Sequence, residues 1–195
     1  VKNRRMVMEL DKGWKTWLCD KSAYGHTDNA PTVVDIPHNW DDYYGYRQLT
    51  HGNLHGTAMY EKTFTLDNSQ FPISDSSFGK RYFLRFEGVG TYATVTLNGK
   101  DFGRHPVGRT TLTLDVTEAL KPGENRLVVK AEHPEMIADM PWVCGGCSSE
   151  WGFSEGSQPL GIFRPVVLEA TDEIRIEPFG VHIWNDDKAG TVFVE

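Results

Sequence analysis

The chain has 195 residues, a formal net charge of −7, 39% hydrophobic and 12% aromatic residues. The acidic balance argues against a basic nucleic-acid-binding surface and gives no support to contact with an anionic membrane. No apolar run reaches membrane-spanning length, while size and apolar content suit one domain with a real core plus part of another.

In chain order, Lys2, Arg4 and Arg5 precede no long apolar segment, so no signal peptide is visible; a leader already removed would place the chain in the periplasm or outside the cell. Residues 1–20 read as a loosely ordered start with an early strand over Trp14 to Leu18. Residues 21–32 are polar and turn-rich, hence loop. Residues 33–40 are apolar and end in Pro37-His38-Asn39-Trp40. Residues 41–56 carry Tyr43, Tyr44, Tyr46, Arg47, His51, Asn53 and His55 without periodicity. Long loops on compact domains are disproportionately functional. From Met59 to Leu66 alternation resumes, with Tyr60, Lys62, Phe64 and Leu66 two apart. Residues 67–80 are a polar excursion in which Pro72 opposes a strand.

Residues 81–131 organise the chain. Tyr82, Leu84 and Phe86 alternate with Phe83, Arg85 and Glu87, and the same period of two recurs at Ala93–Val95–Leu97, Leu112–Leu114–Val116 and Leu127–Val129–Ala131. Four half-buried strands follow from this pattern. Asn98-Gly99 supplies the positive φ angles of a tight hairpin. Lys121-Pro122-Gly123 is a second turn, with proline presetting φ. Thr117 to Leu120 has room for one helical turn capped by Asp115 or Thr117.

Residues 133–160 lose the pattern and, being rich in glycine, serine and proline, read as irregular. Arg164 to Ala170 is the next strand, with Val166 and Leu168 on one face. Beyond Thr171, Ile174, Ile176, Val181 and Ile183 suggest one or two strands, and Thr191 to Val194 another. Two or three strands cannot bury a sandwich core.

Phe86-Glu87-Gly88-Val89, Thr94-Val95-Thr96-Leu97-Asn98-Gly99 and Leu114-Asp115-Val116-Thr117 with Leu120-Lys121-Pro122-Gly123-Glu124-Asn125 occur in a fixed order. So do Ile36-Pro37-His38-Asn39-Trp40, Tyr60-Glu61-Lys62-Thr63-Phe64 and Gly161-Ile162-Phe163-Arg164-Pro165. Together they resemble the N-terminal sugar-binding domain of glycoside hydrolase family 2, which includes β-galactosidases, β-glucuronidases and β-mannosidases. The resemblance covers most of the chain. It implies an all-β jelly-roll sandwich, galactose-binding-domain-like, over residues 1–171, and the start of an immunoglobulin-like sandwich over 172–195. It also implies a catalytic (β/α)₈ barrel elsewhere in a parent polypeptide that hydrolyses O-glycosyl bonds, a β-galactosidase before its sister specificities.

Retaining glycosidases use two carboxylates about 5–5.5 Å apart. In the family both are glutamates on barrel strands, and this chain has no alternating strand–helix units. No catalytic residue is therefore expected here, and no cofactor. The implied partners are the barrel of the same parent chain and a β-galactoside or related β-glycoside.

A sugar site wants an aromatic face and hydrogen-bond acceptors. Trp142, Trp151 and Phe153 offer the face; Glu150, Glu155 and Gln158 offer acceptors. On the residues alone, the aromatics equally serve to pin a long loop while the glutamates stay solvated. In family β-galactosidases an acidic residue shortly before the Gly-Ile-Phe-Arg motif reaches the substrate, and the resemblance gives Glu155 that role, in a loop that is longer and differently patterned. The segment after Pro-His-x-Trp also approaches the family's active site with an asparagine, for which Asn53 is the nearest equivalent. Arg47 stands independently, because a guanidinium bridges two hydroxyls or a sugar carboxylate; the plainer reading is a surface loop held by its tyrosines. The candidate substrate-binding set is Glu155, Asn53, Arg47 and Trp151. The other readings of the chain are a free-standing carbohydrate-binding module and a structural interface domain.

No metal site is expected. His51 and His55 are four apart, but in a glycine-rich loop, and a zinc site through Cys144, Cys147, Cys19 and His133 lacks a second paired motif. His38 reads as a hydrogen-bonded structural histidine. Cys144-Gly145-Gly146-Cys147 stays open between two thiols, a local disulfide and a redox pair, the last needing a helix N-terminus that this loop does not promise.

Overall fold

Strand pairing turns the alternating stretches into two antiparallel sheets around one core. The computed structural model describes residues 5–19, 30–41, 43–44, 47–48, 54–67, 71, 73, 79–134, 137, 159–186 and 190–195, with backbone alone at 43–44 and 47–48. Strands β1 (Met6–Glu9), β7 (Lys80–Phe86), β10 (Leu112–Asp115) and β12 (Val166–Asp172) form a four-stranded sheet in the order β1-β12-β7-β10. Strands β2 (Trp14–Leu18), β3 (Thr32–Val34), β6 (Gly56–Leu66), β8 (Val89–Leu97), β9 (Lys100–Gly108) and β11 (Gly123–His133) form a six-stranded sheet in the order β3-β2-β6-β11-β8-β9. Two small pairs complete the set: β4 (Tyr43–Tyr44) with β5 (Arg47–Gln48), and β13 (Ile183–Asp186) with β14 (Thr191–Val194).

The inner faces are the ones the alternation indicates. Leu84 and Phe86 from β7 and Leu168 from β12 lie in one buried cluster with Tyr60 from β6, Val95 from β8 and Val129 from β11. Each such side chain stabilises the fold by roughly 1.5–3 kcal/mol relative to exposure. Because the two sheets share this cluster, the architecture is the expected β-sandwich. Among the described residues there is no helix.

Several local readings change. Residues 81–131 hold five strands, not four. The extra one, β9, follows the Asn98-Gly99 turn, whose φ angles of 52° and 87° are the type I′ pattern. It is a polar edge strand with no apolar alternation to betray it. Strand β1 lies inside the stretch read as loosely ordered, paired from Met6 opposite Ala170 to Glu9 opposite Val167. Phe83, on the outer face, is nonetheless buried, because the Arg175 guanidinium sits 3.3 Å above its ring. Ile174 and Ile176 lie outside any strand and are exposed, so the suggested strand there is absent; the pairing in this region is β13 with β14. Thr117 to Leu120, by contrast, make the single hydrogen-bonded turn expected, closed by Leu120 N donating to Val116 O at 3.1 Å and capped by Asp115 Oδ1, which accepts the Thr117 N–H at 3.0 Å.

The far end of the six-stranded sheet is closed by a buried polar knot. Asn125 is fully buried. Its Oδ1 accepts from Lys121 N at 3.0 Å and from Asn98 Nδ2 at 2.7 Å, while its Nδ2 donates to the carbonyls of Lys121 and Gly123 at 2.7 and 3.0 Å. One amide side chain thus binds the Asn98-Gly99 hairpin to the Lys121-Pro122-Gly123 turn, and a buried amide is tolerated because its donors and acceptor are used.

Candidate functional site

Antiparallel pairing decides which connections emerge together. His133 faces Gly56 and Glu132 faces Tyr92, so the start of β6, the end of β11 and the start of β8 share one end of the sheet. The chain also leaves β2 there, with Cys19 N donating to Thr57 O at 2.8 Å. The opposite end carries the Asn98-Gly99 and Lys121-Pro122-Gly123 turns. The residues that flank 42–53 and 138–158 therefore lie at the same end.

Three of the sequence motifs converge at that end through backbone contacts. His38 N donates to Ile162 O at 2.8 Å, Trp40 N to Leu160 O at 2.8 Å, and Gly90 N to Gly161 O at 2.7 Å. The glycines are required by proximity. A Cβ on Gly90 would fall on the Pro159 carbonyl oxygen, and one on Gly161, at φ +146°, would lie 2.5 Å from Tyr60 Oη and 2.6 Å from His38 O. Beside them, Thr91 is buried at φ +33°, a costly conformation for a β-branched residue, at an irregularity in the β8–β9 register.

Behind this seam, His38 Nδ1 and Tyr60 Oη lie 2.8 Å apart and share a hydrogen bond. Burial holds the His38 pKa below its ordinary value and drives that of Tyr60 upward. The Trp40 ring stands edge-on to His38, with centroids 5.6 Å apart, and its Nε1 donates to Thr16 Oγ1 at 3.2 Å. His38 thus occupies the structural position its motif suggested, packed and hydrogen-bonded.

The residue after Trp40 ties the loop roots together. Asp41 Oδ1 accepts from Leu54 N at 2.7 Å and Asp41 Oδ2 accepts from Leu160 N at 3.0 Å. Leu54 O in turn accepts from His133 Nδ1 at 3.0 Å. His133 is fully buried, and its ring lies 4.7 Å from that of His55. Burial raises the Asp41 pKa, opposed by the N–H groups of Leu54 and Leu160 and by His55. Residues 41, 54, 133 and 160 flank the two long segments and are linked by three hydrogen bonds, with a fourth from Trp40 N to Leu160 O beside them.

Of the candidate substrate-binding residues, Asn53, Trp151 and Glu155 lie outside the described residues, as do Trp142, Glu150, Phe153, Gln158, His51, Cys144 and Cys147. Arg47 lies in β5, described in its backbone only; the segment read as aperiodic loop thus contains the short β4–β5 pair. By connectivity Asn53 directly precedes Leu54, and Glu155 precedes Leu160 by five positions. Among the described residues, no group of three or more His, Cys, Asp or Glu is arranged to hold a metal ion. Cys19 is exposed, and His133, the fourth member of the zinc grouping considered from sequence, is engaged with Leu54. Asp41 was not singled out from sequence, although an acidic residue at the mouth of a long loop, next to Pro37-His38-Asn39-Trp40, was the available signal.

A cavity of about 610 Å³ lies elsewhere, on the outer face of the four-stranded sheet, between Phe83, Thr113 and residues 173–179. It is bounded by Arg81 and Asp115, which pair with each other, and by the Arg175 side chain. The long segments are not rooted there.

Residues 40–140 match the glycosyl hydrolase 2 galactose-binding domain-like family. The chain is 33% identical over 146 residues to a β-glucuronidase of Bacteroides fragilis, covering 74% of this chain and 18% of that protein. It is 28% identical over 185 residues to a β-galactosidase of Bacteroides ovatus, covering 90% of this chain and 19% of that protein. Among solved structures, a putative β-galactosidase from Bacteroides fragilis superposes with a TM-score of 0.66 at 26% identity, over 94% of this chain and 26% of that one. The chain thus spans less than a fifth of the length of these two curated relatives.

Proposed function

Because the chain belongs to the galactose-binding-like domains of glycoside hydrolase family 2, we propose that it is the non-catalytic N-terminal domain of a β-glycosidase, bracing the catalytic barrel of the same polypeptide and lending its two long segments to the rim of the active site. The observation that carries this reading is the shared end. The segments holding Asn53 and Glu155 are rooted on Asp41, Leu54, His133 and Leu160, which are hydrogen-bonded to one another. A rim needs loops that project together from a rigid support, and a sandwich end supplies both.

The substrate we propose is a β-galactoside, with Glu155 accepting hydrogen bonds from sugar hydroxyls, Asn53 adding a second polar contact and Trp151 an apolar face. A β-glucuronide is the second reading, favoured by the identity to a β-glucuronidase; there the Arg47 guanidinium is the group suited to a sugar carboxylate. Residues 172–195 are proposed to open a second sandwich. The β13–β14 hairpin exposes Ile183, Trp184, Val192, Phe193 and Val194, an apolar surface that two strands alone cannot bury.

The test is a pair of measurements. The 195-residue chain, freed of contaminating enzyme, should not hydrolyse nitrophenyl β-galactoside or β-glucuronide, whereas the complete polypeptide should hydrolyse one of them. Titration of the chain with galactose, glucuronate and lactose should show binding no tighter than millimolar. Micromolar binding by the chain alone would instead identify a free-standing carbohydrate-binding module.

A further inference from the structure

We propose that Asp41 is a positioning residue whose single carboxylate, one oxygen to each, sets the roots of both rim segments at once. The geometry is specific to a carboxylate. Oδ1 takes the Leu54 amide at 2.7 Å and Oδ2 takes the Leu160 amide at 3.0 Å. Both donors belong to buried leucines of the core, so neither root moves without breaking a hydrogen bond to a charged acceptor. The tie extends further: Leu54 O holds His133, the last residue of β11, and Leu160 O holds the Trp40 amide beside Asp41 itself. Asp41 thus bonds the roots of both segments, and a displacement at either root is transmitted to the other through two bonds of one rigid planar group. An asparagine offers one oxygen and one NH₂ in the same outline; it serves one root and turns a donor toward the amide of the other.

The effect on substrate rests on the rim reading above, and the experiment separates the two. In the 195-residue chain, Asp41→Asn should accelerate amide exchange at Leu54, Leu160 or both by roughly 10-fold or more, while the amides of Leu127 and Val129 in β11 keep their protection. Asp41→Glu, which keeps two acceptor oxygens, should stay within about threefold of the parent at both sites. Unchanged exchange at both leucines in Asp41→Asn, or equal acceleration throughout β11, overturns the proposal. So does an Asp41→Glu variant as loose as Asp41→Asn, which also serves as the deciding variant if Asp41→Asn fails to fold. In the complete polypeptide, Asp41→Asn should raise KM by about 10-fold with kcat little changed, because a misplaced rim weakens binding rather than chemistry. If the leucine amides respond and KM does not, the tie between the roots stands and the placement of these segments at the active site is overturned.

Discussion

The amide of Gly90 donates to the carbonyl of Gly161 at 2.7 Å, across a contact where neither residue has room for a side chain. Two stretches more than seventy positions apart are joined by this contact, and it seats the segment that leads into β12. Gly90→Ala places a methyl group on the Pro159 carbonyl and should cost about 3 kcal/mol or more, since backbone must move. Gly99→Ala in the β8–β9 turn meets no atom within 4 Å and carries only the strain of its positive φ, about 1–2 kcal/mol. Urea denaturation of the two variants checks the order; a Gly90→Ala variant no weaker than Gly99→Ala would refute the close-packed seam.

Asn125 is a second position where chemistry, not size, decides. Asn125→Asp preserves shape and the acceptor but sets a carboxylate oxygen against the carbonyls of Lys121 and Gly123 in place of a donor. It should destabilise the chain by about 2–3 kcal/mol, as much as Asn125→Ala, because the fully buried side chain then turns an acceptor toward two carbonyls that have lost their donor. Thermal melts at pH 7 would expose an error here if Asn125→Asp behaved like the parent.

Two aspartates should give opposite pH dependences. At Asp115, burial acts to raise the pKa, but the Thr117 hydroxyl and Arg81 outweigh it and the net shift is downward. Its stabilisation is present above the unfolded pKa and lost as pH falls through the lower folded value. At Asp41 burial prevails and the shift is upward. Its contribution is full below the unfolded pKa and lost as pH rises through the higher folded value. Asp115→Asn should therefore flatten the acid limb of a stability-against-pH curve, and Asp41→Asn should flatten the decline just above pH 4. Urea midpoints from pH 2 to pH 7 test both signs, and a curve for either variant parallel to the parent's contradicts the assignment.

Glu155 is the sharpest test of substrate contact. A carboxylate accepting sugar hydroxyls contributes about 1.5–3 kcal/mol. Glu155→Ala in the complete polypeptide should then lower kcat/KM by roughly 10- to 150-fold. The melting temperature should barely change, since a role in substrate contact predicts loss of binding without loss of stability. Unaltered kcat/KM would leave that segment a packing element only.

The fold class was legible in the sequence because a sandwich writes its inner faces as a period of two. Leu84, Val95 and Val129 announce which side is buried before any partner is known, and Asn98-Gly99 announces a hairpin by the φ angles it permits. Motif order was legible because the residue types themselves stand in the sequence, glycine at 90 and 161 and histidine at 38, while the groups that require them, Pro159 O and Tyr60 Oη, do not announce themselves. What the sequence did not carry was anything decided by a neighbour distant in the chain. Strand β9 shows no apolar alternation, with only Phe102 and Val107 packed on the core, and it is fixed by the ladder that β8 offers it. Phe83 stands on an outward position and is buried beneath Arg175, ninety-two positions later. The candidate site depended on tertiary structure most of all. Asp41 is one more acidic residue in a polar loop until the sheets close, and only then do Leu54 and Leu160 arrive as two amides that need the same carboxylate.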